Sequence, residues 1–270
     1  MIVRDDRGEA LSYDVPPARI VSLVPSISET LWDLGVGDRL VGVTRFCTSP
    51  VEIEHLPRCG GTKNPDLGRI FALRPDLVLM SEEENRREDF ERLATEGVPV
   101  FISFPRTVAD VGGWLQRVGS LVGCGDRAAT TAERIEVTLS SLRTRVARLE
   151  RRPRLFCPIW KRPWMSFNED TYAHDVLAVC GGENIFAGQK DRYCEVTLAD
   201  VADLGPDLVL LPDEPYPFAQ KDIPDLGPVL VPSGSAVDAR LVDGRALSWY
   251  GSRTPQGLEH IHAAIFGGTE

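Results

Sequence analysis

No C-x-x-C pair occurs in this sequence, so its six cysteines (Cys47, Cys59, Cys124, Cys157, Cys180 and Cys194) build neither a zinc ribbon nor a thioredoxin-type redox motif. Most are expected to be small core residues. An exported chain of this size tends to pair or avoid so many thiols, which points to a reducing compartment. Positive charge is also in deficit, with 30 Lys and Arg against 40 Asp and Glu and a net charge of −10. Nucleic acid is thereby excluded as the main partner, because a polyanion needs a concentrated basic face. The one basic cluster, Arg143, Arg145, Arg148, Arg151, Arg152 and Arg154, alternates with Leu142, Val146 and Leu149 as a solvated helix face would. No stretch approaches the ~18 consecutive apolar residues of a membrane span, so direct membrane insertion is not expected. Residues Met1 to Asp6 lack the basic and then apolar pattern of a secretory signal. The expectation is a cytoplasmic protein, with a periplasmic or lipid-anchored one as the alternative if a leader has been removed.

Histidine is scarce as well, with His55, His174, His260 and His262 alone. His260 and His262 fall on different faces of one expected helix and cannot readily share an ion. The Cys47, His55, Cys59 spacing fits no standard zinc pattern. No G-x-S-x-G elbow, Walker loop or G-x-G-x-x-G fingerprint is present, so Gly60-Gly61 and Gly181-Gly182 read as turns. No metal site, required cofactor or catalytic residue is expected.

What the sequence does contain is a repeat. Leu73-Arg74-Pro75-Asp76-Leu77-Val78-Leu79-Met80 returns 131 positions later as Leu204-Gly205-Pro206-Asp207-Leu208-Val209-Leu210-Leu211. In both copies an uninterrupted apolar run follows a Pro-Asp turn, which suits a strand buried on both faces of a parallel sheet. A short amphipathic helix precedes each run, from Asp66 to Leu73 and from Thr197 to Leu204. Two lobes of similar build follow.

The flanking segments alternate in the same way. Arg19 to Val24 reads as a strand, and Ser26 with Glu29 as a capping box that opens a helix ending near Gly35. Leu40 to Val43 and Val98 to Ser103 are expected strands, and Phe90 to Glu96 a helix stopped by Gly97. Thr107 with Asp110 opens a further helix. In the second half, Arg154 to Ile159 and Val229 to Val231 read as strands, and Thr171 to Cys180 and Thr254 to Phe266 as helices. Residues 127 to 152 contain neither glycine nor proline and space Ile135, Leu139, Leu142, Val146 and Leu149 helically. The fold class is therefore α/β, with two Rossmann-like lobes of central parallel sheet joined by one long helix. The boundaries are 1–124 for the first lobe, 125–152 for the helix and 153–270 for the second lobe. A helical joint implies a stiff connection.

With Pro16-Pro17, Arg19 to Ser26, Leu40 to Val43, Arg74 to Val78, Val179 to Phe186 and Trp249-Tyr250, the chain resembles the helical-backbone class of periplasmic binding proteins. The vitamin-B12-binding branch is the nearest in pattern, and the likeness runs from about Asp5 through nearly the whole chain. It implies a corrinoid ligand, such as cobalamin, bound without catalysis between the lobes by aromatic side chains on loops at the carboxyl ends of the strands. Phe46 matches a first-lobe aromatic of that family, and Trp249 with Tyr250 match its second-lobe pair. Lys63 departs from the pattern, standing where the B12 binders carry a tryptophan. The glutamates with which exported members dock onto a membrane importer are replaced by Gly68 and Ala199, again 131 apart, which disfavours docking on an ABC importer.

The residues also carry a reading of their own. Trp160, Lys161, Arg162, Pro163 and Trp164 form one loop, Tyr216-Pro217-Phe218 a second, and Trp249 to Thr254 a third. Rings offer large rigid contact area and cations meet carbonyls or carboxylates, which suits a large amphipathic molecule. Phe46, Lys63, Trp160, Arg162, Trp164, Tyr216, Trp249, Tyr250 and Arg253 are the expected ligand contacts, Trp249 in particular from a Gly- and Ser-flanked surface loop. The competing account makes these rings caps of the lobe cores. Haem or an iron siderophore is the alternative ligand, with Lys63, Arg162 and Arg253 meeting its anionic groups. His174 beside Asp175 reads as a partly buried helical residue, or as an axial ligand to cobalt or haem iron if it faces the ligand. A chelatase-like enzyme is the remaining alternative, and it would need a His or Glu pair that the sequence does not display.

Overall fold

The computed structural model describes residues 2–227, 229 and 237–267. The chain divides into two compact units. The first comprises Met1–Pro105, Ala109–Arg134 and Tyr250–Arg253, and the second Arg106–Val108, Ile135–Trp249 and Thr254–Glu270.

In the first unit a hairpin of β1 (Ile2–Arg4) and β2 (Ala10–Ser12) precedes β3 (Ile20–Ser22), α1 (Pro25–Asp33) and β4 (Leu40–Val43). Then follow α2 (Leu67–Leu73), β5 (Leu77–Ser81), α3 (Arg87–Thr95), β6 (Val100–Ser103) and α4 (Val108–Leu121), and α5 (Gly125–Val146) begins in the first unit and continues into the second from Ile135. The second unit carries β7 (Arg154–Phe156), β8 (Trp164–Phe167), α6 (Tyr172–Val179), β9 (Glu183–Asn184), β10 (Tyr193–Val196) and α7 (Leu198–Leu204). It ends with β11 (Leu208–Pro212), β12 (Asp238–Val242), α8 (Arg245–Ser248) and α9 (Thr254–Phe266). The two sheets have the same plan. The first runs β4-β3-β5-β6 and the second β9-β7-β11-β12, every neighbour parallel.

The internal repeat acts at matching places in both sheets. β5 and β11 are buried along their whole length, as strands covered on both faces must be. Each follows a seven-residue helix that ends in a left-handed residue, Arg74 at φ 46° or Gly205 at φ 58°. The Pro-Asp turn then clips the chain to the neighbouring strand. Asp76 Oδ2 accepts from the backbone N–H groups of Ala18 and Arg19, and its own N–H donates to Arg19. Asp207 repeats this against Arg154, accepting from its N–H and donating to its carbonyl. Gly68 and Ala199 are both the second residue of their helices, α2 and α7, behind the caps Asp66 and Thr197.

Three expectations differ from the structure, and a fourth lies mostly outside the described residues. The capping box of Ser26 and Glu29 does not form, because Pro25 at the first helical position needs no N–H partner and the helix starts there, with Val24 as an unbonded cap. The long helix stops at Val146 instead of 152: Pro153 lies ahead, and Arg151 leaves to make a two-bonded pair with Asp207. Strand β7 ends at Phe156, since Pro158 follows and Ile159 instead pairs with Met165. The expected strand 229–231 falls mostly outside the described residues.

The β1–β2 hairpin was not foreseen. Its turn residue Asp5 accepts from the N–H groups of Arg7, Glu9 and Ile102, and Asp6 binds the N–H of Phe104, so the hairpin covers the free edge of β6.

Replacing Asp207 with Ala removes the clip on β7 and should lower unfolding free energy by about 1–2 kcal/mol in a urea titration. Its carboxyl is held below the usual Asp range by the Arg151 guanidinium and the Arg154 N–H, against opposing burial. A depressed carboxylate contributes stability above its ordinary pKa and loses it as pH falls through the lower folded value. The stability difference between wild type and Asp207→Ala should therefore shrink as acid is added below the ordinary Asp range.

Candidate functional site

In the first unit, the carboxyl ends of β3, β4 and β5 deliver three loops to one end of the sheet, where open α/β sheets place ligands. Asn85 ties them together. Its side-chain oxygen accepts from Ser81 N–H at 2.8 Å, and its amide donates to Leu23 O at 3.2 Å and Thr62 O at 2.8 Å. Lys63, one residue beyond Thr62, is exposed and donates from Nζ to Glu83 O at 2.6 Å. Phe46 is 49% exposed after β4, with the Arg45 guanidinium 4.9 Å from its ring centre. Phe46 and Lys63 thus stand where the sequence assigned them, on loops at strand ends.

Tyr250 and Arg253 are different. Tyr250 is buried, packs edge-on against Trp114 at 5.1 Å and turns its hydroxyl toward Ser81 and Ser103, and burial raises its pKa. Arg253 makes a two-pronged pair with Glu29 at 2.8 and 2.7 Å, and Glu29 is itself buried. The Arg253 guanidinium is therefore engaged by an internal carboxylate. The loop reaches this position because residue 251 is glycine. A Cβ there would lie 2.1 Å from Thr30 Oγ1, which accepts from Ser252 N–H at 3.2 Å, and φ is 118°.

The second unit gathers most of its expected aromatics. β8 and β10 pair antiparallel, and the chain entering β8 turns tightly between Trp160 and Met165, so Trp160 projects from the turn. Trp160 is 43% exposed and meets Tyr216 edge-on at 5.6 Å. Tyr216 lies 4.6 Å from Phe218, and Phe218 stacks on Trp164 at 5.8 Å and 9°. Trp164 touches Phe156, and Phe156 touches Phe186 in the core. The rings form one series from solvent to interior. Trp164 is half-buried, so its stacked face serves Phe218.

Trp249 is buried and not set in an open surface loop. It is 9% exposed, lies under the Arg245 guanidinium at 4.8 Å and donates to Glu214, whose pKa burial raises. Its glycine- and serine-rich neighbourhood is a close approach to α1 of the first unit's residues, made by Gly251 and Ser252, which a sequence cannot distinguish from an open loop. Phe167, at the end of β8, is wholly buried. Arg162 is exposed, with φ 69°. The neighbouring Lys161, not singled out from sequence, is enclosed between Asp222 and Asp225 at 2.5 Å each. Nor was Asn85, whose only signal is a lone amide after three glutamates at the end of a buried strand.

Five of the six thiols are buried, and Cys124 is half-buried. Cys47 bonds with Ser28 and Thr44 at 3.2 Å, and burial raises Cys59 to about 11 and Cys157 to about 12. His174 is half-buried against Asn184 at 3.4 Å, and burial lowers its pKa. A cavity of about 710 Å³ lies in the first unit between the β1–β2 hairpin, α3 and β6, and none of the expected ligand residues lines it.

Comparison with known proteins gives a consistent picture. Residues 20–223 match the family model described as periplasmic binding protein. A vitamin B12-binding protein of Yersinia pestis (strain Pestoides F) is 28% identical over 193 residues, which cover 72% of this chain and 69% of that one. The crystal structure of a periplasmic vitamin B12 binding protein of Vibrio cholerae superposes with a TM-score of 0.80 at 21% identity, covering 93% of this chain and 97% of the other. A periplasmic heme binding protein from Pseudomonas aeruginosa gives 0.81 at 24% identity, with 94% of each chain covered.

Burial separates two tryptophans that look alike in sequence. Trp249→Ala should cost about 3–5 kcal/mol of stability as a buried large-to-small change. Trp160→Ala should cost about 1 kcal/mol or less, the worth of one exposed ring pair. Thermal and urea unfolding of the two variants side by side check this.

Proposed function

Because the chain belongs to the periplasmic binding protein family, we propose that it binds a corrinoid of the cobalamin type and catalyses no reaction. The observation that carries this reading is the exposed Trp160 ring, braced by Tyr216 and backed by a continuous aromatic series into the second-unit core. A rigid, amphipathic, partly exposed surface of that kind suits a broad flat ligand, and it loses little side-chain freedom on contact. Phe46, with Lys63 in the adjoining first-unit loop, supplies a second such surface. Vitamin B12-binding relatives support the corrinoid. The corrinoid is cargo here, not a resident cofactor.

A second ligand class has its own support. Haem or an iron siderophore carries anionic groups, and Lys63 and Arg162 are exposed cations beside the two aromatic surfaces. Arg253 no longer counts toward this reading, since Glu29 neutralises it. A structural neighbour that binds heme points the same way.

The partner and compartment belong to the same proposal. Gly68 and Ala199 carry no carboxylate at the second position of α2 and α7, which argues against importer docking through those helices. All six cysteines are free thiols, as a cytoplasmic setting would keep them, while the family and its relatives are periplasmic. Fractionation of the native host, with blotting of cytoplasm against periplasm and membrane, decides between the two.

Absorbance titration of the purified chain with cyanocobalamin, cobinamide and haemin, followed also by tryptophan quenching, tests the ligand. Saturable spectral change with a corrinoid is expected, and Trp160→Ala should weaken it by about tenfold, the loss of roughly 1.4 kcal/mol of contact. Response to haemin alone would transfer the assignment to the second ligand class, and response to none would overturn the binding reading.

A further inference from the structure

We propose that Lys161 is a positioning residue that ties together the two aromatic loops of the second unit and so fixes how Trp160 and Tyr216 are presented. The proposal rests on the ligand surface assigned above. The two rings come from separate loops, residues 160–164 and 213–219, which meet in the edge-on Trp160–Tyr216 contact at 5.6 Å and in the Trp164–Phe218 stack at 5.8 Å. Ring contacts of this kind are worth only about 0.5–1.5 kcal/mol each, and neither fixes the turn of the exposed Trp160 ring against its own backbone.

Lys161 adds a buried charged tie between the same loops, next to Trp160 in the chain. Its ammonium lies 2.5 Å from Asp222 Oδ1 and 2.5 Å from Asp225 Oδ2, both on the 3-10 turn Gln220–Leu226 that directly follows the Tyr216 loop. Side-chain exposure is 7% for Lys161 and 4% for Asp222, so the bond is shielded from competing water. Asp222 passes the constraint on, because its other oxygen accepts the Ala219 N–H at 3.0 Å, one residue after Phe218. At the other end, Lys161 adjoins Trp160 in the chain and stands 5.7 Å over the Trp164 ring. Burial opposes its charge, but the two aspartates outweigh that effect and raise its pKa, and Lys161 in turn lowers that of Asp222. Enclosed in this way, the ammonium does not reach a ligand. Its effect on binding passes through the rings, as preorganisation.

The test uses the full chain labelled with 5-fluorotryptophan, with each of its five tryptophans assigned by Trp→Phe substitution. In ligand-free Lys161→Met, the resonances of Trp160 (assigned through Trp160→Phe) and Trp164 should shift and broaden, while those of Trp32 and Trp114 stay in place. Dissociation constants for cobinamide or haemin should rise by about tenfold, and Lys161→Arg should restore most of the affinity. Combining Lys161→Met with Asp222→Asn and Asp225→Asn removes the uncompensated carboxylates, so melting temperature should recover while affinity does not. An unchanged Trp160 resonance in folded Lys161→Met, or affinity that returns together with the melting temperature, would overturn the proposal. If Lys161→Met fails to fold, Asp225→Asn provides the comparison, because it removes only the more exposed arm of the tie. Should the wild type bind neither corrinoid nor haemin, the ligand reading falls and the ligand-free fluorine spectra alone decide the role of Lys161.

Discussion

The clip made by aspartate in each Pro-Asp turn is the contact on which the rest of each unit depends. Asp76 and Asp207 bind the backbone of the strand beside them with both side chain and main chain, and so fix where β5 lies against β3 and β11 against β7. Register in a sheet is not a detail. A slip by one residue would turn every buried side chain of a central strand to the opposite face. Once these pairs are set, the carboxyl ends of the strands, and the loops they carry, have no freedom left in where they emerge.

The parts of the fold governed by local pattern were legible from the amino acids. Two continuous apolar runs behind Pro-Asp turns identify β5 and β11, and helical spacing identifies α4, α5 and α9. What escaped was governed by distant partners. The β1–β2 hairpin exists to cover the edge of β6, and Glu29 serves Arg253 across more than two hundred residues of sequence instead of capping its own helix. The same limit divides the expected site. Trp160 and Phe46 are exposed, and Tyr216 half-buried, in short loops directly after or between strands, whereas Trp249 and Tyr250 are drawn inward by Glu214 and Trp114.

Charge sorts itself in a similar way. A cation in an aromatic loop is easily taken for a ligand contact, yet Lys161 and Arg253 are each spent on internal carboxylates. Lys63 keeps its exposure, donating to the Glu83 carbonyl with the Glu84 carboxylate nearby. A buried cation must be matched by hydrogen-bonded counter-charge, which is why Lys161 is held by two aspartates.

The closeness of Trp160 and Tyr216 has an optical consequence. At 5.6 Å, excitation absorbed by the phenol passes to the indole far faster than it can be emitted, so this tyrosine is dark and the pair glows as one chromophore. The second unit thus carries its own reporter, half open to solvent, which dims when a molecule that absorbs in the near ultraviolet settles on that rim.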